Sequence, residues 1–83
     1  MFYVYLLKSP EHGAIYTGYT ANLKRRFAEH QGLPRHKGWK LIYYEAYLNE
    51  GDARERERML KNYGSSLGRL KKRLRQSLDL SRI

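Results

Sequence analysis

Phe2-Tyr3-Val4-Tyr5-Leu6-Leu7-Lys8 is followed, across Ser9-Pro10-Glu11-His12-Gly13, by Ala14-Ile15-Tyr16-Thr17-Gly18-Tyr19. Aromatic and β-branched residues dominate both runs, and the segment between them holds turn-forming Ser, Pro and Gly. The first nineteen residues therefore read as a β-hairpin. With a loop of Ser9 to His12, closed by Lys8 opposite Gly13, Tyr5 faces Tyr16 and Tyr3 faces Gly18. Directly opposed residues point to one side of a sheet, so this register sets two phenols side by side with a glycine next to them. A slip by one residue would separate them.

Beyond the hairpin, Thr20 reads as a helix cap, and Leu23 with Phe27 gives an i, i+4 apolar stripe. Arg26 and His30 border that stripe, whereas Lys24 and Arg25 fall on the solvated side. The helix stops around Gly32 and Pro34, and residues 33–38 form a basic loop. Trp39 to Leu48 reads as a third strand. Asn49 caps the next helix, whose first turn carries Glu50 and Asp52 where the helix dipole favours carboxylates. Ala53, Leu60 and Tyr63 mark its apolar side, with Glu57 between them and Glu55 turned outward. Gly64 ends that helix, and Ser65 or Ser66 caps a last one over about 65–78, with Leu67, Leu70, Leu74 and Leu78 inside. From about Asp79 the chain is expected to fray. The order is β-β-α-β-α-α: an α+β fold with a three-stranded antiparallel sheet flanked by helices.

A chain of 83 residues makes one domain, spanning 1–83, and leaves little room for an enclosed pocket, so an active site should be a surface groove. The absence of cysteine removes disulfides and thiolate metal sites. His12, His30 and His36 do not have the spacing of a zinc set. Seventeen Lys and Arg against eight Asp and Glu give a net charge of +9. Such a balance favours nucleic acid as partner, although a merely soluble basic protein has the same charge. The longest apolar run falls far short of the roughly 18–20 residues of a membrane span, and no signal peptide opens the chain. A cytoplasmic protein with no membrane partner is expected.

Tyrosine occurs eight times, and Tyr43, Tyr44 and Tyr47 are read as strand packing residues. Tyr5 and Tyr16 differ because they converge near Gly18 and Arg26. A phenol with a pKa near 10 is ionised only about once in 10³ at pH 7, a handicap of roughly 4 kcal/mol for a base. A nearby cation, Arg26 or a metal ion, offsets that handicap. An arginine bordering a core stripe needs an anionic partner, and phosphate would supply one through two parallel hydrogen bonds. Glu57 lies in Arg54-Glu55-Arg56-Glu57-Arg58, a run that also fits a surface ladder of ion pairs. A lone carboxylate with waters is, however, the usual way Mg²⁺ is held at phosphate-processing sites. His12 and His36 are read as structural.

The ordered set resembles the GIY-YIG endonuclease domain, and in particular its small stand-alone bacterial members. Tyr3-Val4-Tyr5 and Tyr16-Thr17-Gly18 stand for the two tripeptides, Leu23-Lys24-Arg25-Arg26 with His30 for the helix motif, and Ala53 to Lys61 for the glutamate helix. The match covers residues 2 to about 63. Tyr3 replaces the first glycine, and Val4 and Thr17 replace isoleucines, which touches packing rather than chemistry. The resemblance implies an Mg²⁺-dependent endonuclease, with Mn²⁺ as a substitute, acting in DNA repair or processing. It implies Tyr5, Tyr16, Arg26, His30 and Glu57 as catalytic residues, Glu57 as metal ligand, and 5′-phosphate and 3′-hydroxyl products. Tyr19 would line the site. Lys24, Arg35 and Lys37, with Arg69, Lys71, Lys72 and Arg75 on the last helix, are candidates to hold DNA; RNA stays open. Selectivity would come from substrate structure or from a protein partner. The alternative is a binding module of the same fold with little or no catalysis.

Overall fold

The computed structural model describes residues 1–80. Strand β1 (Phe2–Lys8) lies at the centre of a sheet ordered β2-β1-β3, paired antiparallel with β2 (Ile15–Thr20) and β3 (Lys40–Tyr47). Its central position explains its composition: Val4, Tyr5, Leu6 and Leu7 are all buried, because each face of the strand is covered. Helix α1 (Leu23–Gln31) and a 3-10 turn (Pro34–His36) follow β2. Helices α2 (Glu50–Asn62), α3 (Gly64–Arg73) and α4 (Arg75–Leu80) follow β3. This is the α+β arrangement that the sequence predicts.

The hairpin register is offset from expectation by two residues. Tyr5 pairs with Gly18, Leu7 with Tyr16, and Lys8 with Ile15. The loop is consequently longer than four residues. Ser9 is buried and organises it: its Oγ accepts from the backbone N–H of Glu11 and His12, and its own N–H bonds Ala14 O at 2.9 Å. Gly13 supplies the left-handed φ of 67° that completes the reversal. An offset of two preserves strand parity, so Tyr5 and Tyr16 still share a face, now as diagonal neighbours with ring centres 6.3 Å apart. Steric fit selects this register. A Cβ at Gly18 would run into the Tyr5 ring and hydroxyl, so the glycine makes the seat in which the phenol lies.

Alternation along β1 divides the fold. Val4 and Leu6 meet Ala53, Leu60 and Leu70, so α2 and α3 cover one face and the main core lies there. On that side Glu45 of β3 takes a bidentate pair from Arg56 of α2, with contacts of 3.0 Å, and accepts the hydroxyls of Tyr43 and Tyr47. Burial pushes the Glu45 carboxyl up, but these hydrogen bonds outweigh it and hold the group below the usual carboxylate range. The same burial and carboxylate push the Tyr43 and Tyr47 phenols up to about 12. Tyr5 and α1 occupy the other face.

Several helix ends differ from the sequence reading. Asn22, not Thr20, caps α1: its side chain accepts from Arg25 N–H, while Thr20 Oγ1 is engaged by Asn22 N–H at 3.0 Å. Asn49 caps α2 as expected, by accepting from Asp52 N–H. Gly64 does not end α2. The break falls at Tyr63, whose extended backbone ends α2 and opens α3 without a side-chain cap, so neither Ser65 nor Ser66 serves as one. The last helix is two pieces meeting at Leu74 (φ −103°, ψ 21°). The expected fraying from Asp79 meets α4 through Leu80, and its remainder, residues 81–83, lies outside the described residues.

Two glycine substitutions should move stability in opposite directions. Gly18→Ala should lower it by about 1–3 kcal/mol, the usual cost of overpacking a rigid site. Gly68→Ala, inside α3 with open space around its Cα, should raise it by about 0.5–1 kcal/mol. Urea unfolding of the two variants beside wild type checks both signs.

Candidate active site

On the α1 face the site grows from the buried Tyr5 phenol, which is 1% exposed. Its hydroxyl lies 2.7 Å from His30 Nε2, on the last turn of α1. His30 Nδ1 in turn lies 2.9 Å from His36 Nδ1, on the 3-10 turn. Tyr16, partly exposed, packs its ring 5.0 Å from that of His30 and 4.8 Å from that of His36. Trp39 closes the cluster edge-on against His36 at 4.9 Å.

Arg26 lies one helical turn before His30 on the same side of α1. Its Nη1 donates to Glu29 at 3.1 Å, and the Tyr5 and Tyr16 phenols stand near enough to act on the guanidinium's charge. Those three partners raise the guanidinium pKa further, so it is a permanent cation. The anionic partner expected for Arg26 is thus a neighbouring glutamate, on an ion pair whose two side chains are 38% and 50% exposed. An exposed pair of this kind is worth tenths of a kcal/mol, so a phosphate could displace the carboxylate cheaply.

Burial pushes the Tyr5 phenol up to about 12, with Arg26 pulling the other way and Tyr16 and Glu57 adding to the rise. His30 is held below the ordinary imidazole value by burial first, then by Arg26 and His36. Burial, Arg35 and Arg26 do the same to His36. Both histidines are therefore neutral at neutral pH.

Glu57 comes from the opposite layer, since α2 packs on the Val4 and Leu6 face. It lies between buried Ala53 and Leu60, is 22% exposed, and pairs with Lys61 Nζ at 3.0 Å. Its charge nonetheless reaches the Tyr5 phenol. The described residues contain no cluster of three or more His, Cys, Asp or Glu able to enclose a metal ion. One hard carboxylate suits Mg²⁺ completed by water and substrate oxygens, and it does not suit zinc.

The remaining candidates are dispersed. Tyr19 faces the α2 layer, where its hydroxyl donates to Glu50, Arg54 lies over its ring and Phe2 stacks on it. Lys24 rims a groove of about 530 Å³ lined by Tyr3, Phe27, Leu41 and Tyr44. Arg35 and Lys37 border a cleft beside the hairpin loop. Arg69 joins Arg56 and Arg73 around another, and Lys71 flanks the hairpin loop from the far side. Lys72 and Arg75 are exposed. His12 is exposed in its turn, 3.7 Å from the Glu11 carboxylate. His36 is drawn further in than its loop position suggests: the 3-10 turn after Pro34 folds it back onto His30, six residues earlier, and it enters the ring cluster. The one sequence signal was that short return after a helix stop.

Comparison with known proteins settles the family. Residues 1–73 match the GIY-YIG catalytic domain. The chain belongs to the GIY-YIG family, a nuclease superfamily. It is 40% identical over 68 residues to the UPF0213 protein in ldhD 5′ region of Pediococcus acidilactici, covering 72% of this chain and 68% of the relative. It is 37% identical over 67 residues to a UPF0213 protein of Clostridium perfringens (strain 13 / Type A), covering 74% of this chain and 71% of that one. No solved structure matches significantly.

The depressed histidines carry a pH signature in this GIY-YIG chain. Unfolding frees them to the ordinary value near 6.5, so the unfolded chain binds more protons below that pH. Their contribution to stability is complete above about pH 6.5 and is lost as pH falls through the folded values. Stability should therefore decline from about pH 7 toward 5, with proton uptake on unfolding. His36→Asn, which removes one ring, should flatten that slope in chemical denaturation run across the pH range.

Proposed function

We propose that this protein is a metal-dependent endonuclease that hydrolyses phosphodiester bonds in DNA, and that it selects its substrate by structure or through a partner. The observation that supports the reading is the buried Tyr5–His30 contact at 2.7 Å with Arg26 one helical turn before His30, the charges of Arg26 and Glu57 both acting on the Tyr5 phenol. A permanent cation with five N–H donors and no acceptor suits a phosphate whose negative charge grows during hydrolysis.

The two phenols are not equivalent. Tyr5 is buried, its hydroxyl engaged with His30 and its pKa pushed up to about 12, which makes it a poor proton acceptor. Tyr16 is partly exposed and near Arg26, so we assign it, rather than Tyr5, to accept the proton of the attacking water. The new P–O bond forms to the water oxygen as the P–O3′ bond breaks, and the departing O3′ takes a proton from solvent, leaving 5′-phosphate and 3′-hydroxyl ends. Arg26 stabilises the charge on the phosphoryl oxygens between those two events. Glu57 would hold Mg²⁺, which when bound neutralises charge on the scissile phosphate and the leaving oxygen.

A binding module of the same fold is the second reading, and the Lys61–Glu57 pair favours it, since it leaves the carboxylate already neutralised. Cleavage of labelled nicked, flapped, branched and linear DNA, with and without Mg²⁺, separates the two. Glu57→Ala should abolish metal-dependent cleavage while the far-UV spectrum is unchanged. Arg26→Ala should lower the turnover rate by orders of magnitude with only a modest loss of binding. Undiminished cleavage by purified Glu57→Ala would assign the activity to another site or a contaminant.

Binding is a separate matter, carried by the basic surface of α3 and α4. Replacing Lys71, Lys72 and Arg75 with Gln should weaken duplex binding uniformly and reduce the salt slope by about 0.9 for each phosphate that is no longer neutralised. Turnover at saturating substrate should change little. An unaltered slope would move the DNA to the Arg35 and Lys37 side of the molecule.

A further inference from the structure

The protons of the Tyr5–His30–His36 chain can be placed by elimination, starting from Arg26. The Arg26 guanidinium acts on the Tyr5 phenol and has donors only, so on that side the Tyr5 oxygen can serve only as an acceptor. The Tyr5 proton must then go to the other neighbour, His30 Nε2 at 2.7 Å. That nitrogen carries a lone pair, which puts the proton of a neutral His30 on Nδ1. Nδ1 faces His36 Nδ1 at 2.9 Å, so His36 must accept there and hold its own proton on Nε2. No buried side-chain nitrogen or oxygen among the described residues lacks a partner, as a chain of this kind requires.

We propose that His36 is a positioning residue for the phosphate site: by accepting from His30 Nδ1 it fixes the tautomer that takes the Tyr5 proton, and so keeps the Tyr5 lone pairs turned toward Arg26. The proposal rests on the reading of Arg26 as the residue that meets the phosphate. The geometry behind it is two short contacts in series among buried groups on three different elements: β1, α1 and the 3-10 turn.

Adding a proton at either imidazole breaks the chain. A charged His36 sets two N–H groups face to face, and a charged His30 donates to Tyr5 and turns the phenol proton toward the guanidinium. The groups facing the pair are Tyr5 from β1, Tyr16 from β2, Arg26 and Glu29 from α1, and Arg35 from the 3-10 turn, with the Trp39 ring against His36. The two arginines oppose protonation and Glu29 favours it, so the chain should be intact at neutral pH and fail in acid.

Ring-nitrogen NMR of the ¹⁵N-histidine-labelled protein at pH 7.5 tests this without any substrate. Expected are His30 as the Nδ1–H tautomer and His36 as the Nε2–H tautomer; His30 as Nε2–H would overturn the proposal. His36→Leu should shift His30 toward Nε2–H and lower the cleavage rate at saturating Mg²⁺ and DNA by roughly tenfold, with KM little changed, the scale on which such orienting partners act. It should also move the acid limb of the pH–rate profile. His36→Asn, whose amide oxygen can still accept, should restore tautomer and rate. Unchanged tautomer and rate in His36→Leu would refute the role, and if that variant does not fold, the wild-type spectrum still decides. Should the spectra agree while Arg26→Ala cleaves like wild type, Arg26 is not the residue that meets the phosphate and the positioning role fails with it, while the tautomer assignment stands.

Discussion

The Tyr5 ring lies over Gly18 and its hydroxyl reaches His30 at 2.7 Å, so a single side chain ties the centre of the sheet to the helix above it. Burying a phenol is favourable only if its hydroxyl finds a partner, and here that partner is another buried polar group that needs one of its own. The requirement passes outward through His30 to His36 and brings the 3-10 turn down onto the sheet. α1 itself is short, at nine residues, and contributes no fully buried apolar residue; its one buried side chain is His30. Polar contacts rather than an oily seam hold this layer in register. That makes the site rigid where it is dry, with an exposed fringe at Arg26 and Tyr16.

The other layer is built differently. Ala53, Leu60 and Leu70 cover Val4 and Leu6 in a conventional apolar core, and Glu45 with Arg56 locks α2 to β3 beside it. Most of the hydrophobic stabilisation therefore lies on the face away from the phenol cluster. Substitutions in the polar layer can alter function without unfolding the chain, whereas truncating Leu60 or Leu70 should cost stability directly.

Much of this was readable from residue order because strand parity and helix periodicity are robust to small errors. Tyr5 and Tyr16 share a face whether the register is the expected one or offset by two, and only an odd slip would have parted them. Loop length was not readable, since it depends on buried Ser9 capturing two backbone amides and on the Tyr5 ring selecting Gly18. Thr20 and Asn22 are both capable caps two residues apart, and the choice fell on Asn22 because Thr20 is occupied by Asn22's own N–H. His36 escaped for a tertiary reason: no local pattern says that a turn after Pro34 returns to a histidine six residues back. Glu57 posed a related difficulty, as its spacing shows that it points inward but not that its helix lies across the sheet from α1.

The strand order β2-β1-β3 also shapes how the chain comes together in time. β1 and β2 are close in sequence and can zip as a hairpin soon after both are synthesised. β1 must then wait for β3, whose partner residues lie some forty positions on, before its second edge is closed. Loop-closure entropy makes that step the slow one, and the helices of the apolar layer emerge later still. Until Tyr47 has left the ribosome, the most hydrophobic strand of the protein presents a row of open backbone hydrogen-bonding groups to whatever is nearby.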